Sequence, residues 1–189
     1  MEELIAKAID YINELFASDH GGHDAAHTLR VYKNALMIAR TEPECDMLTV
    51  SLGALLHDAD DSKLFDTENN LNARRFLSRN GVSGEQTEKI LEVINSVSFS
   101  KNRGRRPGTA EGMIVQDADR LDAIGAVGIA RTFAYGGAHG RTPEASVQHF
   151  FDKLLLLRDE MNTETGRRIA EDRHAFLEEF LRRWHSETE

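Results

Sequence analysis

Apolar residues recur every three to four positions along nearly the whole chain, and the two-residue alternation of half-buried strands is almost absent. That periodicity restricts the chain to helices. Only three prolines occur, and the breakers fall between periodic stretches: Gly21-Gly22, Pro43, Asn80-Gly81, residues 100–109, Gly136-Gly137 and Thr142-Pro143. Helices are expected near 2–17, 24–41, 46–58, 67–80, 84–98, 111–121, 123–135, 144–160 and 165–184. No internal repeat, low-complexity tract or composition shift marks a second domain. Residues 1–189 are therefore read as one compact all-α bundle.

A chain of 189 residues can bury a substantial core, and 40% hydrophobic with 29% charged residues fits a soluble globular protein. The net charge of -9 argues against a nucleic-acid partner, which needs a basic footprint, but leaves room for a small anionic substrate met by a local positive pocket. Cys45 stands alone and cannot form an internal disulfide, and the opening MEELIAKAID lacks a signal peptide's basic segment and apolar run. A cytoplasmic location is expected. The longest aliphatic run, Leu154 to Leu157, ends at Arg158, far short of the roughly 20 residues a membrane span needs.

Three segments carry chemistry. HGGHDAAH, from His20 to His27, packs three histidines and an aspartate around the start of a predicted helix, with His20 ahead of the Gly21-Gly22 break and outside it. His27 continues into Val31, Ala35 and Ile38 at helical spacing, so its ring should face the core, with His23 one turn earlier on the same side. In LGALLHDADD, an apolar run leads directly into His57 and Asp58; a carboxylate there costs several kcal/mol to bury unless it is paired or metal-bound. In IVQDADRLDAIGAVGIA, residues Val115, Asp119, Asp122, Ala126 and Ile129 form one stripe, otherwise apolar or small. Asp117 lies about 200° from Asp119, on a face with Arg120 and Arg131. His27, His57, Asp58 and Asp119 can thus converge from three helices. Two imidazoles and two carboxylates suit a borderline-to-hard divalent ion with open positions for water and substrate.

His27 in HDAAHTLRV, the His57-Asp58 doublet in LLHDADD and Asp119 in DADRLDAIG together resemble the H…HD…D signature of the HD superfamily. The stretch from Ile114 to Gly137, with GIARTFAYGG, and the later HFFDKLLLL extend the resemblance to a subgroup of small bacterial HD hydrolases over nearly the whole chain. The resemblance implies an all-α bundle of the HD-domain type, His27, His57, Asp58 and Asp119 as metal ligands, and phosphate esters or anhydrides, commonly nucleotides, as substrates. HD proteins with two metals carry extra histidines between the doublet and the last aspartate. None occurs here between His57 and His139, so one divalent ion per chain is expected. Manganese leads, with nickel, cobalt, iron and magnesium as alternatives.

The remaining roles are expectations of the same reading. Asp61, one turn beyond His57 if the helix persists, is the candidate to take a proton from water, and Asp58 takes part in catalysis as well as ligation. Lys63 is placed on a phosphate oxygen, and His23 is placed to orient the attacking water. Asp122 is expected to accept a hydrogen bond from a ligand imidazole, the alternative being a plain salt bridge between helices. The basic run around Arg103, Arg105 and Arg106 reads either as a solvated loop or as a lid whose guanidinium forks grip a polyphosphate. His20, His139, His149, His174 and His185 are read as ordinary residues. The expected activity is nucleoside triphosphate phospho- or pyrophosphohydrolysis. The alternatives are an idle HD module that binds a nucleotide or alarmone, or a hydrolase of alarmones or small phosphomonoesters. A homo-oligomer is compatible with the sequence, and neither membrane nor nucleic acid is expected as a partner.

Overall fold

A computed structural model of the chain describes residues 1–17, 25–98, 102 and 104–188. Helices dominate, and the described residues contain no strand. The chain divides into two compact units, Met1–Asp119 and Arg120–Glu189. No helix among the described residues is long and apolar enough to cross a membrane.

The first unit is built around a helix with no polar face. Helix α3, Met47–Leu56, buries every residue from Thr49 to Leu56 and packs against α1 (Glu2–Leu15), α2 (Ala25–Ala39) and α5 (Gly84–Val97). A helix apolar on all sides is stable only when surrounded, as here. Its neighbours are amphipathic: Ile5, Ala8, Ile12 and Phe16 line the buried side of α1, and Ile90, Leu91, Val93, Ile94 and Val97 that of α5. Asp46 fixes the start of α3, accepting hydrogen bonds from Leu48 N at 2.9 Å and Thr49 Oγ1 at 2.7 Å. Gly53 lets α5 come close, since a Cβ there would lie 2.7 Å from Val93 Cγ1.

Helix α4, Leu71–Arg79, begins after a loop, and the expected start at 67 is wrong by a turn because Asn69 and Asn70 take left-handed φ values of 56° and 55°. The unit boundary falls within α6, Ala110–Asp122. The structure corrects the expected stripe on this helix. Residues 114–118 and 120–122 are all buried, Asp117 completely, so α6 has no amphipathic stripe to read. The expected stripe also crosses a break: α6 ends at Asp122, and Gly125, with φ at 77°, begins a separate helix, which leaves Ala126 exposed.

The second unit contains α7 (Gly125–Ala138), α8 (Pro143–Asp152), a 3-10 turn (Leu154–Glu160) and α9 (Glu164–Thr188). The helix expected over 144–160 is thus two elements. Thr142 caps α8, accepting from Ala145 N, and Pro143 occupies the first turn, where its missing N–H is harmless. Buried Phe150 and half-buried Phe133, Phe180 and Trp184 form an aromatic cluster with neighbouring ring centroids 5.6–6.1 Å apart. Arg120 pairs with Glu160, and Arg173 donates to the Leu121 carbonyl.

The close approach of α3 and α5 makes Gly53 a sensitive position. Gly53→Ala is expected to destabilise the protein by about 1–3 kcal/mol, despite alanine's better helix propensity, because the branched Val93 side chain cannot swing aside. Urea denaturation of Gly53→Ala, Val93→Ala and the double variant checks this, with the double variant losing less than the sum of the singles.

Candidate metal centre

Where α3 stops, its buried interior delivers two ionisable residues in succession. His57 is the C-cap of α3 and keeps helical backbone angles, whereas residues 57–60 turn instead of continuing the helix. His57 Nδ1 lies 2.9 Å from the Ala54 carbonyl oxygen, one turn back. A carbonyl can only accept, so Nδ1 carries the proton and Nε2 presents its lone pair inward. His27 enters from the first turn of α2, and Asp119 from α6. Asn34, two turns beyond His27 on α2, donates to the Ala118 carbonyl at 3.2 Å and ties α2 to α6 immediately beside Asp119.

The four side chains meet. His27 Nε2 is 3.5 Å from Asp58 Oδ2 and 3.4 Å from Asp119 Oδ1; His57 Nε2 is 3.3 Å and 3.8 Å from the same two oxygens. The imidazole rings meet edge-on with centroids 5.3 Å apart. Candidate ligand atoms of His27, His57 and Asp119 all lie within 4.8 Å of one another. Both imidazoles are 3% exposed, Asp58 14% and Asp119 24%, so nitrogen donors form the floor and carboxylates the mouth.

His57 Nε2 tests whether a metal fits. This buried nitrogen, although 3.3 Å from Asp58 Oδ2, has no hydrogen-bond partner among the described residues. Orphaned buried donors or acceptors cost about 1–3 kcal/mol and demand an explanation. A lone pair aimed at two carboxylates and a second imidazole is the donor set of a divalent cation. The residues fit such an ion.

Electrostatics agree. Burial pushes the His57 pKa down, but the Asp58 carboxylate, aided by Asp119, more than reverses this, leaving it above its ordinary 6.5. Burial likewise pushes Asp119 up, and His27 and His57 overcome it, holding the carboxyl below 3.8.

The other expected site residues are distributed unevenly. Asp61 and Lys63 lie in the loop after the doublet, because the helix does not persist; Asp61 Oδ1 accepts from Lys63 N at 2.9 Å, and Lys63 is exposed. Asp122 forms an ion pair with Arg131, the salt bridge between helices that is its alternative role, and His57 Nδ1 meets the Ala54 carbonyl. Arg105 and Arg106 are exposed, and Arg106 Nε points at Met113 Sδ at 3.2 Å. His23 and Arg103 lie outside the described residues. Two residues that sequence reasoning missed are Asp60 and Asn72, which close the loop carrying Asp58. Their partners are mostly backbone groups, which leave no trace in residue patterns.

Residues 24–124, which contain all four converging side chains, match the HD domain family. Over 181 residues the chain is 40% identical to the uncharacterized protein YpgQ of Bacillus subtilis, spanning 91% of this chain and 87% of that protein. The crystal structure of Bacillus subtilis YpgQ in complex with ADP is similar with a TM-score of 0.80 at 40% identity, over 95% of this chain and 97% of the other. That of an HD-superfamily hydrolase from Bacillus thuringiensis gives 0.81 at 36% identity, over 98% and 97%.

The pKa directions set a pH dependence for the metal-free protein. His57 is raised, so its contribution to stability is complete below pH 6.5 and is lost as pH rises through its folded value. Asp119 is lowered, so its contribution holds above pH 3.8 and is lost as pH falls through its folded value. Chelator-treated protein should therefore lose stability as pH rises above 6.5 and through the folded value of His57, whereas affinity for a divalent ion, which displaces the proton, should rise in the same direction. Denaturation at stepped pH, repeated on His57→Gln, checks it: the variant should lack the alkaline loss.

Proposed function

This chain belongs to the HD domain family, and from that premise we propose that it is a metal-dependent phosphohydrolase of nucleotides, cleaving a phosphoanhydride of a nucleoside triphosphate with release of phosphate or pyrophosphate. The observation that carries the reading is the convergence of His27, His57, Asp58 and Asp119, whose imidazole Nε2 atoms lie 3.3–3.8 Å from Asp58 Oδ2 and Asp119 Oδ1. ADP bound to YpgQ, at 40% identity, supports a nucleotide as ligand. His27, His57, Asp58 and Asp119 would hold one divalent ion, manganese by preference, with nickel, cobalt, iron and magnesium as alternatives for two imidazoles and two carboxylates. When bound, the ion supplies Lewis acidity, which lowers the pKa of water and offsets phosphoryl charge.

The chain's own groups do the rest. Asp61 takes the proton from the attacking water, whose oxygen bonds to phosphorus as the anhydride P–O bond breaks and the leaving phosphate departs with its electron pair. Its position two residues beyond Ala59, in the turn after Asp58, supports that role. Lys63, exposed in the same loop, meets a phosphate oxygen of the substrate. His23 orients the water. Arg103, Arg105 and Arg106 supply cations that an acidic protein otherwise lacks around a polyanionic substrate.

Manganese-loaded protein incubated with a nucleoside triphosphate panel, with products resolved by chromatography, tests the reading. Asp58→Ala should lose the ion. Asp61→Ala and Lys63→Ala should lower kcat by about 10²-fold or more, since they act on the transferring proton and on developing charge. Neutralising Arg103, Arg105 and Arg106 together should chiefly raise KM, as contacts made equally in ground and transition states do. Tight nucleotide binding with no turnover of any substrate would make the protein a binding module instead.

A further inference from the structure

Residues 57–70 join α3 to α4 with no helix of their own, and they carry Asp58, Asp61 and Lys63. A connection of that length is ordinarily loose, yet a ligand carboxylate must be held to within about 0.5 Å. One carboxylate closes this loop. Asp60 Oδ1 accepts from Thr67 Oγ1 at 2.7 Å and from Asn72 N at 2.9 Å, and Oδ2 accepts from Ala73 N at 3.0 Å. The two backbone donors belong to the first turn of α4, whose own N-cap, Asn70, makes no side-chain cap bond. Asp60 therefore caps α4 from the other end of the loop, with its negative charge at the positive end of the helix dipole. Asn72 returns the tie: its Nδ2 donates to the Ala59 carbonyl at 2.9 Å, and its own carbonyl accepts from the Tyr11 hydroxyl at 3.3 Å.

We infer that Asp60, supported by Asn72, is a positioning residue that sets Asp58 toward the metal centre and Asp61 and Lys63 toward the substrate. This role presupposes the metal-dependent hydrolase proposed above. Ala59, fully buried between Asp58 and Asp60, has its carbonyl fixed by Asn72, so the backbone on either side of it is immobilised. An amide at position 60 would turn an N–H₂ group toward one of three donors and open the clamp.

Calorimetric titration with manganese(II) alone, well below the melting temperature of each protein, tests this. Asp60→Asn is expected to weaken manganese binding about 10–100-fold, the range for residues that orient ligands, and to lower kcat more than it changes KM. Asp60→Glu, which can still accept from the same N–H groups, should recover part of the affinity. Ser83→Ala, which removes the α5 cap bond to Gln86 N, should lower stability and leave manganese affinity unchanged. If Asp60→Asn does not fold, Asn72→Ala carries the test with a smaller loss of affinity in the same direction. Unchanged manganese affinity and kcat in whichever of these variants folds would overturn the positioning role. A wild-type protein that binds no divalent ion would overturn the hydrolase reading on which it rests.

Discussion

Helix α3 cannot face water anywhere, and the first unit is organised by that constraint. Eight consecutive buried residues, Thr49 to Leu56, require cover on every side, which α1, α2 and α5 provide. The C-terminus of such a helix lies deep in the core, so the next residues start from a dehydrated position. Those residues are His57 and Asp58. Their burial results from the solvent-averse helix before them, and their cost is met by His27 from α2 and Asp119 from α6. Even so, the compensation is incomplete in protein groups alone, since His57 Nε2 has no hydrogen-bond partner among the described residues. Its raised pKa and the lowered pKa of Asp119 express one fact: imidazoles and carboxylates face one another at short range, each favouring the charged form of the other.

Much of this is legible in the residues. The spacing of His27, Val31, Ala35 and Ile38 places an imidazole on the buried side of α2, and all four are buried. The apolar run into His57-Asp58 marks a buried helix end, because few other arrangements tolerate those side chains there. The stripe that singles out Asp119 in the sequence, by contrast, does not exist in the fold. α6 is buried on nearly all sides, so periodicity cannot rank its three aspartates, and the completely buried Asp117 is less exposed than Asp119. Exposure, not burial, distinguishes Asp119, because the site opens at that point.

Other features leave no mark in the sequence. One is the positive φ of Gly125 at the start of α7: the expected helices 111–121 and 123–135 already part near this point, but a lone glycine between apolar residues reads equally well as helix interior. The ties of Asp60 to Asn72 N and Ala73 N join a side chain to backbone amides more than ten residues away, which no residue pattern records. Ala54 holds His57 Nδ1 through its carbonyl, so its side chain is irrelevant to the contact. Residue type leaves Asp122 open to a ligand imidazole or to a salt bridge between helices, and the fold pairs it with Arg131.

His57 and Asp58 are neighbours in the chain, yet His57 Nε2 and Asp58 Oδ2 lie 3.3 Å apart. Consecutive side chains on an α-helix leave the backbone about 100° apart, so the two must bend toward each other to meet. The doublet shares a centre at the point where α3 ends at Leu56 and the chain turns over residues 57–60. The site is therefore defined by where a helix stops as much as by which residues come next. Replacing neighbours of the doublet alters its surroundings, whereas adding or deleting a single residue between Gly53 and His57 would rotate the pair out of register with His27 and Asp119. Away from close contacts such as Gly53, helix α3 can change composition within its apolar limits, but it cannot change length.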